Sequence, residues 1–172
     1  FETNFQLEDY QTYSYNDLWG GSIESTVAKV HDFFQAEDFL TGVEPIKYAF
    51  ETLKQFIDCF DFVVVTSRQT IIRNETIAWL DEHFPGIFSN VLLGNHYDMK
   101  SPNPEVNTDS KGNVIKKSKP EMCQSINATL LIDDSVKYAS QCATSIEKKE
   151  GSMLSVILFG NYGWNADIQD IE

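Results

Sequence analysis

Apolar side chains recur at three- and four-residue intervals along the first third of the chain and then, abruptly, in short continuous runs. Ser22 stands where it can cap a helix through about Gln35, with Ile23, Val27, Val30 and Phe34 on one face and Glu24, Ser25 and Lys29 on the other. From Pro45, the positions Ile46, Ala49, Phe50, Leu53, Phe56, Ile57 and Phe60 form one stripe, which predicts a second helix laid against a core. The period then changes. Phe62-Val63-Val64-Val65 is a β-branched run that stops at Thr66-Ser67-Arg68, the pattern of a parallel strand buried on both faces and ending in a polar loop. A helix over 70–83 follows, carrying Ile72, Thr76, Trp79, Leu80 and His83 on neighbouring turns, and Pro85-Gly86 stops it.

Val91-Leu92-Leu93 is a second short strand, whereas 98–118 is polar, holds Pro102 and Pro104, and reads as a long loop or exposed hairpin. Lys119-Pro120 opens a helix through about Ile126. Thr129-Leu130-Leu131-Ile132 is a buried strand ending in Asp133-Asp134-Ser135, a helix spans about 136–148, and a last strand, 155–159, ends at Gly160. Strand, polar tip and helix in repetition predict an α/β fold, a three-layer Rossmann-like parallel sheet. In such sheets ligands sit beyond the carboxyl ends of the strands, where Thr66-Ser67, Asp133-Asp134 and Gly160-Asn161 all fall. Residues 1–20, rich in aromatic groups (Tyr10, Tyr13, Tyr15, Trp19), end at the hinge signal Gly20-Gly21 and suggest a small accessory piece.

Composition narrows the function more than the fold. A chain of 172 residues is one ordinary domain with a sufficient core, so Cys59, Cys123 and Cys142, odd in number and without metal-site spacing, read as free thiols of a reducing, cytoplasmic setting. With 26 acidic against 13 basic side chains the formal charge is −13, which argues against a nucleic acid polymer as partner. It leaves room for a small phosphorylated substrate held by local groups. No apolar run reaches the length of a membrane span, and the opening residues lack the basic and apolar regions of a signal peptide.

Three features suit phosphate chemistry. Thr66 offers a hydroxyl, and the N–H groups of Ser67 and Arg68, turning into a helix, can form an anion nest. Lys119, at a helix start, can place a positive charge on phosphoryl oxygens. The adjacent carboxylates Asp133 and Asp134 repel one another unless a cation or hydrogen bonds hold them, and hard oxygen donors suit Mg²⁺. Each has a plainer reading. Asp133-Asp134 and Thr66-Ser67 are good helix caps, Lys116, Lys117 and Lys119 are a run of the kind that is solvated, and Arg68 fits an exposed salt bridge. His31, His83 and His96 lack metal-ligand spacing, His83 reads as packed in the core, and Tyr162 and Trp164 read as packing residues.

The ordered set Val63-Val64-Val65-Thr66-Ser67-Arg68, Lys119-Pro120 and Leu131-Ile132-Asp133-Asp134-Ser135 resembles motifs two to four of the haloacid dehalogenase-like hydrolases. Pro45-Ile46, Thr76-x-x-Trp79-Leu80 with His83-Phe84-Pro85-Gly86-Ile87-Phe88, and Leu158-Phe159-Gly160-x-Tyr162-x-Trp164-Asn165 resemble its 5′-nucleotidase-like branch, so the likeness covers most of 17–165. It implies a Mg²⁺-dependent phosphohydrolase acting on small phosphomonoesters, nucleoside monophosphates among them. In that family an aspartate attacks phosphorus and a second aspartate two residues later handles the proton. By analogy Thr66 with Ser67 and Arg68 binds phosphate, Lys119 holds nucleophile and phosphate, Asp133 and Asp134 orient Mg²⁺, and residues 1–42 are a small helical cap on a core of 43–172.

The family's first motif, Asp-x-Asp on a strand between those ending at Thr66 and Ile132, occurs nowhere in the sequence; Asp58-Cys59-Phe60-Asp61 has the wrong spacing. The expectation is therefore a nucleophile outside these residues, on a segment missing from the N-terminus, with no turnover by the 172 residues alone. The alternative is an inactive domain that binds a phosphate ligand, a metal or a protein partner.

Overall fold

The computed structural model describes residues 5–95, 109–110, 114–146 and 154–166. Most of the polar stretch expected to be a loop or hairpin lies outside them. The fold is mixed α/β with parallel strands, as the alternation of elements requires, and the chain forms two compact units: His31–Met122, and Phe1–Val30 together with Cys123–Glu172.

The middle unit is built on β1 (Phe62–Thr66) and β2 (Phe88–Leu93), parallel, with Val64 opposite Val91 and Thr66 opposite Leu93. Between them runs α5 (Arg73–His83), entered through a 3-10 turn, Thr70–Ile72. Leu80, Phe84, Ile87 and Val91 form the buried cluster, and Ala49, Phe50, Leu53 and Val64 pack on it. The Trp79 indole N–H donates to the Val43 carbonyl at 2.6 Å, and the His83 ring lies 4.9 Å from that of Trp79, half-buried at the edge of the cluster rather than within the core.

Two expectations need correction here. The helix read from Pro45 to Phe60 is only α4 (Ala49–Lys54). Tyr48 ahead of it adopts φ 66°, left-handed, which breaks the helix on its amino side. Beyond Lys54 the N–H groups of Gln55, Phe56 and Cys59 reach back three residues, to Thr52, Leu53 and Phe56, so the chain tightens into turns. Ile46, Phe56, Ile57 and Phe60 consequently stand exposed. The strand expected to be buried on both faces is half-buried throughout, because β1 has β2 on one side and, among the described residues, no strand on the other.

In the other unit β3 (Leu130–Asp133) pairs in parallel with β4 (Ser155–Leu158), Asp133 opposite Leu158. The connecting helix, α7 (Val136–Ile146), contributes Cys142 to a buried cluster with Cys123, Leu131 and Leu154. All three cysteines are free thiols, Cys59 exposed. The strands alternate: Leu131 and Asp133 point inward, whereas Ile132 and Ile157 are each 49% exposed.

The amino-terminal elements are helical: α1 (Tyr15–Trp19), α2 (Ile23–Phe34) and α3 (Glu37–Thr41). Ser22 caps α2, its hydroxyl accepting the Ser25 N–H at 3.2 Å. Of the expected apolar face of α2, Val30 is buried and Val27 and Phe34 are half-buried, but Ile23 is 70% exposed, and Thr26 turns inward as well, pairing with the Asn16 side chain at 3.0 Å.

Candidate functional site

The tip of β1 is shaped by its own backbone. The Thr66 carbonyl accepts the Gly94 N–H at 2.8 Å, and the Arg68 carbonyl accepts the Asn95 N–H at 3.1 Å, so the loops after β1 and β2 are laced together. Asn95, buried and left-handed at φ 55°, accepts from both the N–H and the hydroxyl of Thr70 at 2.7 and 2.9 Å. Its role was not read from the sequence. Its signal is the Gly94-Asn95 pair directly after a strand, since both residues tolerate turn conformations.

Thr66 and Ser67 are not helix caps. The helical turn opens at Thr70, four residues beyond Thr66, and Gln69 occupies its cap position. Nor do the N–H groups lead straight into a helix as expected for an anion nest: the Arg68 N–H turns back to the Thr66 hydroxyl oxygen at 3.3 Å. Arg68 itself leaves the tip. Its guanidinium lies 5.3 Å from the centre of the Phe39 ring and donates to the Thr76 hydroxyl at 3.3 Å, while Thr76 donates to the Ile72 carbonyl at 2.8 Å. Burial lowers the Arg68 pKa, yet a guanidinium stays charged at neutral pH.

Lys119 is the first residue of α6 (Lys119–Ser125). Of the lysine run, Lys116 and Lys117 are exposed and Lys119 is buried, 7% accessible, which separates it from a merely solvated face. A reciprocal cap fixes this helix start. The Ser118 N–H and hydroxyl donate to the Glu121 carboxylate at 2.8 and 2.7 Å, and the Glu121 N–H returns to the Ser118 oxygen at 3.4 Å. These bonds hold the Glu121 carboxyl below the usual carboxylate range.

At the end of β3 the two carboxylates diverge in environment. Asp133 is buried, and its Oδ1 accepts the Ser135 N–H at 2.9 Å. Ser135 caps α7, its hydroxyl facing the Tyr138 N–H at 3.5 Å. Asp134 Oδ2 accepts the Trp164 indole N–H at 2.9 Å, and its carbonyl accepts the Asn165 side-chain amide at 2.9 Å. Trp164 was expected only to pack. Burial, then Asp134 and Asp133, push the Tyr13 phenol well above its ordinary pKa, which keeps it protonated beside the pair.

No group of three or more His, Cys, Asp or Glu with metal-binding arrangement occurs among the described residues. A carboxylate pair nevertheless fits Mg²⁺, which takes one or two protein carboxylates and fills its octahedron with water and substrate oxygens. A cleft of about 440 Å³ whose lining mixes Asp58, Asp61 and Ser89 with Ile57, Phe60 and Phe88 lies at the amino ends of β1 and β2, the end away from Thr66. No described helix is long and apolar enough to cross a membrane.

Comparison with protein families matches residues 1–116 to the model described as 5′ nucleotidase, deoxy (pyrimidine), cytosolic type C protein. The matched stretch includes Thr66, Ser67 and Arg68; Lys119, Asp133 and Asp134 lie beyond it. No curated protein and no solved structure matches the chain. With about two thirds of its length in that match, and with parallel strands ending in Thr66 and in Asp133, the chain belongs to the cytosolic 5′-nucleotidase type C family of haloacid dehalogenase-like hydrolases.

Proposed function

We propose that these residues supply the phosphate-holding, metal-holding and orienting groups of a Mg²⁺-dependent phosphohydrolase for small phosphomonoesters. The family description favours deoxyribonucleoside monophosphates with a pyrimidine base, and a cytosolic setting. The observation that carries the reading is the Asp133–Asp134 pair at the carboxyl end of β3, Asp133 Oδ1 accepting the Ser135 N–H and Asp134 Oδ2 the Trp164 indole N–H.

In this reading the Thr66 hydroxyl hydrogen-bonds a phosphoryl oxygen, and the Lys119 ammonium, set on a capped helix start, neutralises charge that builds on phosphate. Ser67 and Arg68 support phosphate binding from the same loop, Arg68 through its hold on Thr76 and Phe39. Asp133 and Asp134 hold Mg²⁺, which when bound stabilises charge on the transferred phosphoryl group. Residues 1–42 serve as the cap that excludes water. These 172 residues contain no Asp-x-Asp.

The same absence favours a second reading, a binding module that holds phosphate and metal without turnover. Thermal denaturation with saturating Mg²⁺ and inorganic phosphate, run beside an assay of phosphate release from deoxyuridine monophosphate, tests both. Stabilisation that disappears in Asp133→Asn supports the metal assignment; stabilisation that survives the substitution overturns it. Stabilisation by Mg²⁺ and phosphate without phosphate release favours the module, and phosphate release overturns it.

A further inference from the structure

Trp164 does more than pack, and its bond to Asp134 bears on which cation the strand end accepts. The indole N–H holds Oδ2 at 2.9 Å, while the Asn165 amide holds the carbonyl of the same residue at 2.9 Å. Asn165 is itself fixed: its amide also donates to the Phe159 carbonyl at 2.9 Å, and its oxygen accepts the Tyr162 N–H at 2.7 Å. The Trp164 ring stacks on Tyr162, centroids 4.6 Å apart and 11° from parallel. The turn that allows this needs Gly160, where φ is 83° and a Cβ would clash with the Tyr162 ring. Finally, the Phe159 N–H donates to the Asp133 carbonyl at 2.8 Å, so the turn after β4 grips both aspartates from the backbone side.

We infer that Trp164 is a positioning residue that makes the aspartate pair prefer Mg²⁺ over Ca²⁺. This rests on the metal reading proposed above. Mg²⁺ takes single carboxylate oxygens in a near-octahedral shell, whereas Ca²⁺ takes six to eight oxygens and gains from carboxylates that swing to chelate with both. The bond from the stacked indole to Oδ2 constrains how the Asp134 carboxylate can turn. Swinging it to chelate would break the indole bond and leave a half-buried N–H without an acceptor. Asp133 enters the pair under the same constraint, its Oδ1 already accepting from Ser135.

The test titrates Mg²⁺ alone and Ca²⁺ alone into the full chain by calorimetry, for wild type, Trp164→Phe and Asp133→Asn. Phe keeps the stack on Tyr162 and removes the N–H. The expected result is a wild type that prefers Mg²⁺ and a Trp164→Phe protein whose Mg²⁺/Ca²⁺ affinity ratio falls about tenfold, the scale typical of groups that orient metal ligands. An unchanged ratio, with Asp133→Asn still abolishing binding, overturns the role of Trp164 and leaves the metal reading intact. Absence of binding by the wild type overturns the metal reading and this inference together. Should Trp164→Phe fail to fold, the indole N–H resonance of the wild type gives the answer: it stays in its hydrogen-bonded position with Mg²⁺ and moves with Ca²⁺, and equal behaviour with both ions overturns the inference.

Discussion

The Arg68 guanidinium sits 5.3 Å from the centre of the Phe39 ring, which ties the tip of β1 to α3. Phe39 is buried and also meets Phe33 and Phe34, at 5.4 and 5.0 Å, so one cation anchors a cluster of three rings. Arg68→Lys keeps the charge but loses the guanidinium contact with the Phe39 ring and the bond to Thr76. It is expected to destabilise by about 1 kcal/mol in urea unfolding and, because Arg68 steadies the phosphate loop, to weaken phosphate binding modestly. Collapse of phosphate affinity at unchanged stability would instead make Arg68 a direct phosphate ligand.

The start of α6 has an acid-sensitive component. Ser118 bonds hold the Glu121 carboxyl below its ordinary value of 4.5, so the folded state prefers it ionised. Its contribution is complete above that value and is lost as pH falls through the lower folded pKa. Ser118→Ala is expected to cost about 1 kcal/mol at neutral pH and to leave a shallower fall of stability below pH 4.5. Chemical denaturation at a series of acidic pH values reads both effects, and an unaltered acid profile would contradict the assignment.

The turn after β4 depends on one side chain. Asn165→Ala strips N–H partners from the Asp134 and Phe159 carbonyls and an acceptor from the Tyr162 N–H, and should cost about 2–3 kcal/mol. Asn165→Asp should be worse, because it points a carboxylate at two carbonyl oxygens. Melting temperatures that rank the two the other way would contradict this.

Phe84 closes the hydrophobic cluster of the middle unit, 7% accessible and in ring contact with Phe50, Trp79 and Phe88. Phe84→Ala is expected to cost about 3–5 kcal/mol in urea unfolding. A loss under 1 kcal/mol would show that the site collapses around the missing ring.

Strand runs were the most legible part of the sequence. Phe62–Val65, Val91–Leu93 and Leu130–Ile132 announce themselves because a β-branched or leucine run bounded by polar residues has few other uses. The Pro45–Phe60 stripe misled because periodicity reports where side chains would fall if a helix formed, and says nothing of a left-handed Tyr48 or of turns that tighten after Lys54. At the site, the positions of Thr66, Lys119 and the aspartates at element ends were legible, but their partners were not. Asn95 and Trp164 reach Thr70 and Asp134 across 25 and 30 residues, and no local pattern encodes such a pairing. The Ser118-x-x-Glu121 cap, by contrast, is a local pattern written in the sequence.

Ile132 and Ile157 are register partners on neighbouring strands, each with half of its surface in water. Two greasy side chains in line on a parallel ribbon form a sticky stripe, and at neutral pH the shared charge of −13 keeps one molecule's stripe from another's. Near the isoelectric point of about 4.5 that mutual repulsion vanishes, so mildly acidic buffers and high salt are where preparations of this chain should turn cloudy.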